Sequence, residues 1–363
     1  MSSQVTPLTV YGSSISYFTG KLEGYLRCKQ IPYRFEPATS AYFARTLKEK
    51  TGATQVPAVE LADGRWMTDT TPIIGWLEAQ YPLRPIIPQD PALAFFCRLV
   101  EDYADEWLWR PAMHYRWSYR RSREARAAFL ADELAVDVKA PFFLKRRRLT
   151  RRQLGNFVTA DGIDERTKQH ADQTYLNILA ILEAVFQKRP YVLGDAPSLA
   201  DIGLFGPMFR HFSMDPTPAD IMQRQAPAVY EWVARLWNCR QVDGDWAAAW
   251  PDDLEPLLRE IGETHLQYLA GNARAYADEK HRFDVNVQGC EYASVPVSRY
   301  RVWCVEELQR HLGELPEHQA EPVRQVLADT GCLELLEQPV VKSADYNTER
   351  TAPFDQGLAV YNI

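Results

Sequence analysis

Residues 13–21 read Ser-Ser-Ile-Ser-Tyr-Phe-Thr-Gly-Lys, a run of hydroxyl side chains where an apolar segment gives way to a helical pattern. Hydroxyl donors beside a helix N-terminus stabilise an anion, because the first backbone N–H groups of a helix have no partner within it. Ser16, Tyr17 and Ser13 are the candidates for that work, and Ser16 is equally well placed as the plain cap of the helix. A second anion-holding pattern is Met67-Thr68-Asp69-Thr70-Thr71-Pro72, ahead of the apolar Ile73-Ile74. There Asp69 or Thr70 caps a helix start and also faces any carboxylate or ammonium brought to it. A different motif is Gln55-Val56-Pro57-Ala58-Val59, where a proline at a strand entrance leaves a backbone edge open, or simply begins an edge strand. Trp109, His114 and Tyr115, with Asp105 and Trp117, are an aromatic stripe that lines either an apolar cavity or a helix core. Lys145-Arg146-Arg147-Arg148 with Arg151-Arg152 is a basic cluster that suits an acidic partner or, more simply, a solvated helix face balanced by nearby acids.

These groups need elements to hold them. Leu8–Tyr11 is strand-like and ends at the turn signal Gly12-Ser13-Ser14. Helical spacing follows from about residue 17 to 29, through Phe18, Leu22, Tyr25 and Leu26. Ile31–Phe35 reads as a second strand, and two further strands flank the hairpin signal Asp63-Gly64. A helix then runs through Ile73, Ile74, Trp76 and Leu77 to Tyr81. The order β-α-β, β-β-α predicts an α/β sandwich closed by the prolines at 82, 85 and 88.

Beyond residue 90 the pattern is helical: about 91 to 119 as one helix bent at Pro111, then 165–187, 198–212 and 226–236. Gly194-Asp195-Ala196-Pro197-Ser198-Leu199-Ala200-Asp201 carries a capping box, with Ser198 as cap and Asp201 reaching back. From residue 251 onward come helical stretches at 254–280, 301–312 and 322–336, a short extended piece at 292–297, and an irregular tail from Ser343.

With 363 residues the chain exceeds one compact core. Its net charge of −7 argues against nucleic acid as a partner. No window is apolar for long enough to span a membrane, and the N-terminal residues lack a secretory pattern. Six scattered cysteines form no CxxC pair, which disfavours a zinc site or disulfide framework and suits the cytoplasm.

Taken together, the Val56-Pro57 strand entrance, the Asp69-Thr70 helix start, the hydroxyl loop before Lys21-Leu22 and the capping box resemble the glutathione S-transferase superfamily over residues 8–240. The resemblance implies a thioredoxin-like α/β N-terminal domain over 1–83, an all-helical domain over 90–250, and a mostly helical extension over 251–363. It implies glutathione as co-substrate, held by Ser13, Gln55, Val56, Pro57, Asp69 and Thr70, with Pro57 cis. Ser16 or Tyr17 would stabilise its thiolate, which attacks an electrophilic or apolar small molecule beside Trp109, His114 and Tyr115. No metal, nucleic acid or membrane partner is implied, and a homodimer is. Asp69 stands where family members carry Glu, and Thr19, Gly20 and Glu23 depart from the usual helix-one pattern. The extension suggests a second function class, a non-catalytic binding or scaffold protein that keeps the fold. The missing active-site cysteine disfavours a thiol-disulfide oxidoreductase.

Overall fold

A computed structural model describes residues 7–38, 43–240, 243–343 and 353–354. Strand β1 (Leu8–Gly12), helix α1 (Tyr17–Cys28) and strand β2 (Tyr33–Pro37) form a parallel β-α-β unit. A π-helical turn at Phe43–Leu47 and a single turn of helix, α2 (Lys48–Thr51), lead to β3 (Ala58–Glu60), β4 (Trp66–Thr68) and α3 (Thr70–Gln80). The sheet order is β2-β1-β3-β4, with β3 antiparallel to both neighbours. Burial alternates along β1, with Leu8 and Val10 turned into the core, as a period of two requires.

The helical domain opens with α4 (Pro91–Glu106), where Asp90 caps Leu93 N–H at 2.9 Å and Pro91 occupies the first turn. The expected single helix to residue 119 is instead two, because α5 (Trp109–Trp117) starts after a break at Trp107-Leu108. Pro111 explains the position of the break. Its ring clashes with the carbonyl four residues earlier, that of Trp107, so the chain bends one turn before the proline. Helices α6 (Arg120–Leu134), α7 (Phe142–Leu154), α8 (Lys168–Phe186), α9 (Leu199–Pro207), α10 (Pro216–Gln225) and α11 (Pro227–Trp237) follow. The stripe of α8 (Tyr175, Ile178, Leu179, Leu182, Phe186) is buried as its spacing predicts. The capping box at α9 forms, with Asp201 accepting from Ser198 N–H at 2.9 Å and from Trp232 Nε1 at 3.1 Å.

The extension comprises α12 (Glu255–Glu263), α13 (His265–Ala277), a hairpin of β5 (Arg282–Val287) and β6 (Cys290–Pro296), then α14 (Arg299–Gly313), α15 (Glu317–Asp329) and α16 (Leu333–Leu336). The extended piece expected at 292–297 is β6, whereas β5 is an addition, although Phe283, Val285 and Val287 alternate as a half-buried strand should. One hydrophobic core runs without interruption from Leu8 to Leu336, so the extension shares the interior of the preceding domains. Of the tail beyond Ser343, only Pro353 and Phe354 lie within the described residues. Thr68 N–H donates to the Pro353 carbonyl at 3.1 Å, and Phe354 packs edge-on to Trp76. Among the described residues, no helix is long and apolar enough to cross a membrane.

Candidate functional site

Strand register alone brings three of the sequence motifs to one end of the sheet. Tyr11 pairs with Ala58 and Ala58 with Thr68. The turn after β1 (Ser13–Ser16), the residues before β3 (Val56-Pro57) and the residues after β4 (Asp69-Thr70) therefore share one edge. The N-termini of α1 and α3 both open there, each a positive dipole end.

The turn after β1 is closed by Ser16 N–H on the Ser13 carbonyl at 2.9 Å. Ser16 is half-buried, and its hydroxyl caps α1 by accepting from Thr19 N–H at 3.4 Å. Tyr17 faces the other way. It is buried, its hydroxyl donates to the Ala104 carbonyl, and burial pushes its pKa well above the usual tyrosine value. A phenol so placed packs the two domains together and does not reach the sheet edge, where the other candidate groups lie. The Ser13 hydroxyl donates to the Glu133 carboxylate, which also accepts from Ser14 N–H at 3.0 Å and from Ser14 Oγ at 2.9 Å. Glu133 sits at the end of α6, 120 residues from Ser13, and no sequence signal marks it.

Arg210 explains two of the departures in α1, Gly20 and Glu23. Its guanidinium donates to the Ser14 carbonyl and pairs with Glu23 at 2.6 Å. A Cβ on Gly20 would stand 2.3 Å from Arg210 Cγ, so this position admits the arginine only as glycine. Gly20 and Glu23 are therefore the receiving surface for Arg210.

The Val56–Pro57 peptide bond is cis. Gln55 is exposed, and Val56 is half-buried against a small cluster of Ala38, Leu47, Ala58 and Trp66. Asp69 has φ of +70°, in the left-handed region that non-glycine residues enter at a cost, and asparagine and aspartate more readily than most. Its carboxylate caps α3 through Thr71 N–H at 3.3 Å, and Thr70 is buried beside it.

The expected pocket wall divides. Trp109 stacks on Phe18, the second residue of α1, at 5.7 Å and meets Tyr17, Phe157 and His211, so it lies against the start of α1. His114 and Tyr115 point into the helical core instead. His114 is 3.2 Å from Asp172, and Tyr115 packs on Tyr119 and Tyr175. Asp105 is the buried partner of Lys21 at 2.5 Å, and Trp117 is a core residue.

Family models for the glutathione S-transferase N-terminal domain and C-terminal domain match residues 10–85 and 130–238. A comparison with the curated proteins finds no match. Similar solved structures include a glutathione S-transferase from Methylobacterium radiotolerans in complex with glutathione sulfonate, 18% identical over 64% of this chain and 90% of that one, with a TM-score of 0.39. The beta-etherase LigF of Sphingobium sp. strain SYK-6 is 19% identical over 64% and 95%, with a TM-score of 0.46. FzlA from C. crescentus is 15% identical over 68% and 97%, with a TM-score of 0.41.

Proposed function

The chain belongs to the glutathione S-transferase superfamily, and from that premise we propose that it binds glutathione at the shared end of the sheet and acts as a transferase. The convergence of Ser13–Ser16, Val56-Pro57 and Asp69-Thr70 at one edge is the observation that carries this reading. In it, the Asp69 carboxylate meets the ligand's ammonium group, while Thr70, through its hydroxyl and N–H at the start of α3, holds its α-carboxylate. Val56 offers its backbone to the cysteinyl unit, with Gln55 and Ser13 flanking. The Ser16 hydroxyl and the N-terminus of α1 stabilise the sulfur as thiolate. Trp109 and Phe18 form the apolar side, where an electrophilic co-substrate would lie. Tyr17 has no part in the sulfur chemistry in this reading, because its hydroxyl already serves Ala104.

Glu133 favours a second reading, a member that binds without thiolate chemistry. Its carboxylate accepts three hydrogen bonds from the turn that carries Ser16. A like charge beside the sulfur raises the thiol pKa and keeps it protonated.

Thermal unfolding with and without millimolar glutathione tests both. A raised midpoint that is lost in Asp69→Ala supports binding at this edge. No shift in the native protein would sink the glutathione reading. Turnover of a generic aryl halide then separates a transferase from a protein that binds without catalysis.

A further inference from the structure

Ten large apolar side chains are exposed among the described residues, and six of them fall between residues 129 and 144: Phe129, Val136, Val138, Phe142, Phe143 and Leu144. Phe143 is 68% exposed and Val136 63%, values a soluble surface rarely repeats so close together along the chain. The patch runs from the end of α6, through the connecting loop, into the first turn of α7.

Helix α7 contains no buried residue. One side of it rests on the body: Lys145 Nζ donates to the Ala135 carbonyl at 2.7 Å, Arg146 reaches the Glu124 carbonyl at 3.3 Å, and Leu149 is half-buried. At 100° per residue, the side turned away carries Phe143, Leu144, Arg147 and Arg151, flanked by Arg148 and Arg152. All six are exposed. Within the basic cluster, Arg146 has the Glu124 carboxylate near it, whereas Arg147, Arg148, Arg151 and Arg152 have no carboxylate partner among the described residues. A chain with net charge −7 thus concentrates unpaired positive charge around an apolar tip.

We propose that this surface, α7 with the loop before it, docks on an anionic lipid bilayer. Guanidinium groups next to exposed Phe, Leu and Val suit the headgroup boundary, where arginines meet lipid phosphate while apolar side chains enter the acyl edge. A second copy of the chain, related by a two-fold axis, would set arginine against arginine. Nucleic acid would take up the arginines but leave Val136, Val138 and Leu144 without a use. The loop part of the surface begins at Val136, three residues after Glu133, which is bonded to the Ser13–Ser14 turn. Docking therefore brings the edge of the candidate site beside the membrane, where apolar small molecules concentrate. The inference rests on exposure and charge alone and stands whether or not the chain binds glutathione.

Co-sedimentation of the full chain with vesicles tests it. Phosphatidylcholine vesicles containing phosphatidylglycerol should carry the protein down and pure phosphatidylcholine should not, with binding weakening as salt is raised. R147E/R148E should lower partitioning on the order of tenfold or more, and F143S/L144S by about tenfold. Both pairs are exposed, so their thermal midpoints should match the native protein. Absence of binding to anionic vesicles, or binding that neither variant weakens, overturns the proposal. So does a dimer in sedimentation velocity that F143S/L144S dissociates, because the patch would then be the contact between two copies.

Discussion

Lys21 has no solvent exposure and lies between two carboxylates of α4, Glu101 at 2.7 Å and Asp105 at 2.5 Å. Burial disfavours its charged form, but Asp105 and Glu101 outweigh burial and hold its pKa above the ordinary lysine value. This pair ties α1 of the N-terminal domain to α4 of the helical domain. In Lys21→Met the side chain keeps its bulk, yet two buried carboxylates lose their counter-charge. A loss of about 3–5 kcal/mol is expected, measured by urea unfolding. A loss below about 1 kcal/mol would mean the pair behaves like a solvent-screened surface bridge. Sequence spacing places Lys21 near the start of helix one but carries no sign of its burial, since Glu101 lies 80 positions further on. The same limit hides Glu133 and Arg210. Ser16 is legible as a cap because its partner is three residues away.

Among the elements, α4 and α9 approach closely at Gly203. A Cβ on Gly203 would come within 2.7 Å of Glu101 Cα, a backbone atom that cannot swing aside. Alanine is the better helix former by about 1 kcal/mol, yet overpacking against a rigid backbone costs about 1–3 kcal/mol. Gly203→Ala should therefore destabilise. A methyl group added at Gly75 in α3 would meet nothing within 4 Å, so Gly75→Ala should gain a few tenths to about 1 kcal/mol. Calorimetry on the two variants checks the contrast, and equal effects would refute the steric account. The helix boundaries at Ser198 and Asp90 are readable because caps are local. The break at Trp107 is displaced from Pro111 because a proline acts on the carbonyl four residues back.

Across the whole molecule, three histidines at different places in the fold have depressed pKa values. Burial depresses the pKa of His170, of His211, where Arg116 adds to the effect, and of His311, which burial, Arg98 and Arg310 bring down to about 3. An unfolded histidine titrates near about 6.5. The stability each contributes is therefore fully present above that pH and is lost as pH falls from about 6.5 toward the folded value. Asp201 works in the opposite sense. Burial pushes its carboxyl up to about 6, so its contribution grows as pH falls through that value. Urea midpoints between pH 7 and pH 4 should fall less steeply in His311→Gln than in the native protein, and parallel slopes would refute the assignment. Arg301 of the extension pairs with Glu106 at 2.8 Å and His265 Nε2 lies 2.6 Å from the Asp102 carboxylate, both on α4, so these polar contacts bind the extension to the helical domain.

The sequence by itself determined the order of elements in the first eighty residues, the caps at Ser16, Asp69 and Ser198, the strand entrance at Pro57 and the family, because each depends on residues a few positions apart. Tertiary structure alone decided which hydroxyl faces the sheet edge and which serves a carbonyl, and which charges are paired. It also decided that Phe143 and Leu144 stand in solvent. Burial and ion pairing depend on what packs from elsewhere in the chain, and neither periodicity nor spacing carries that information.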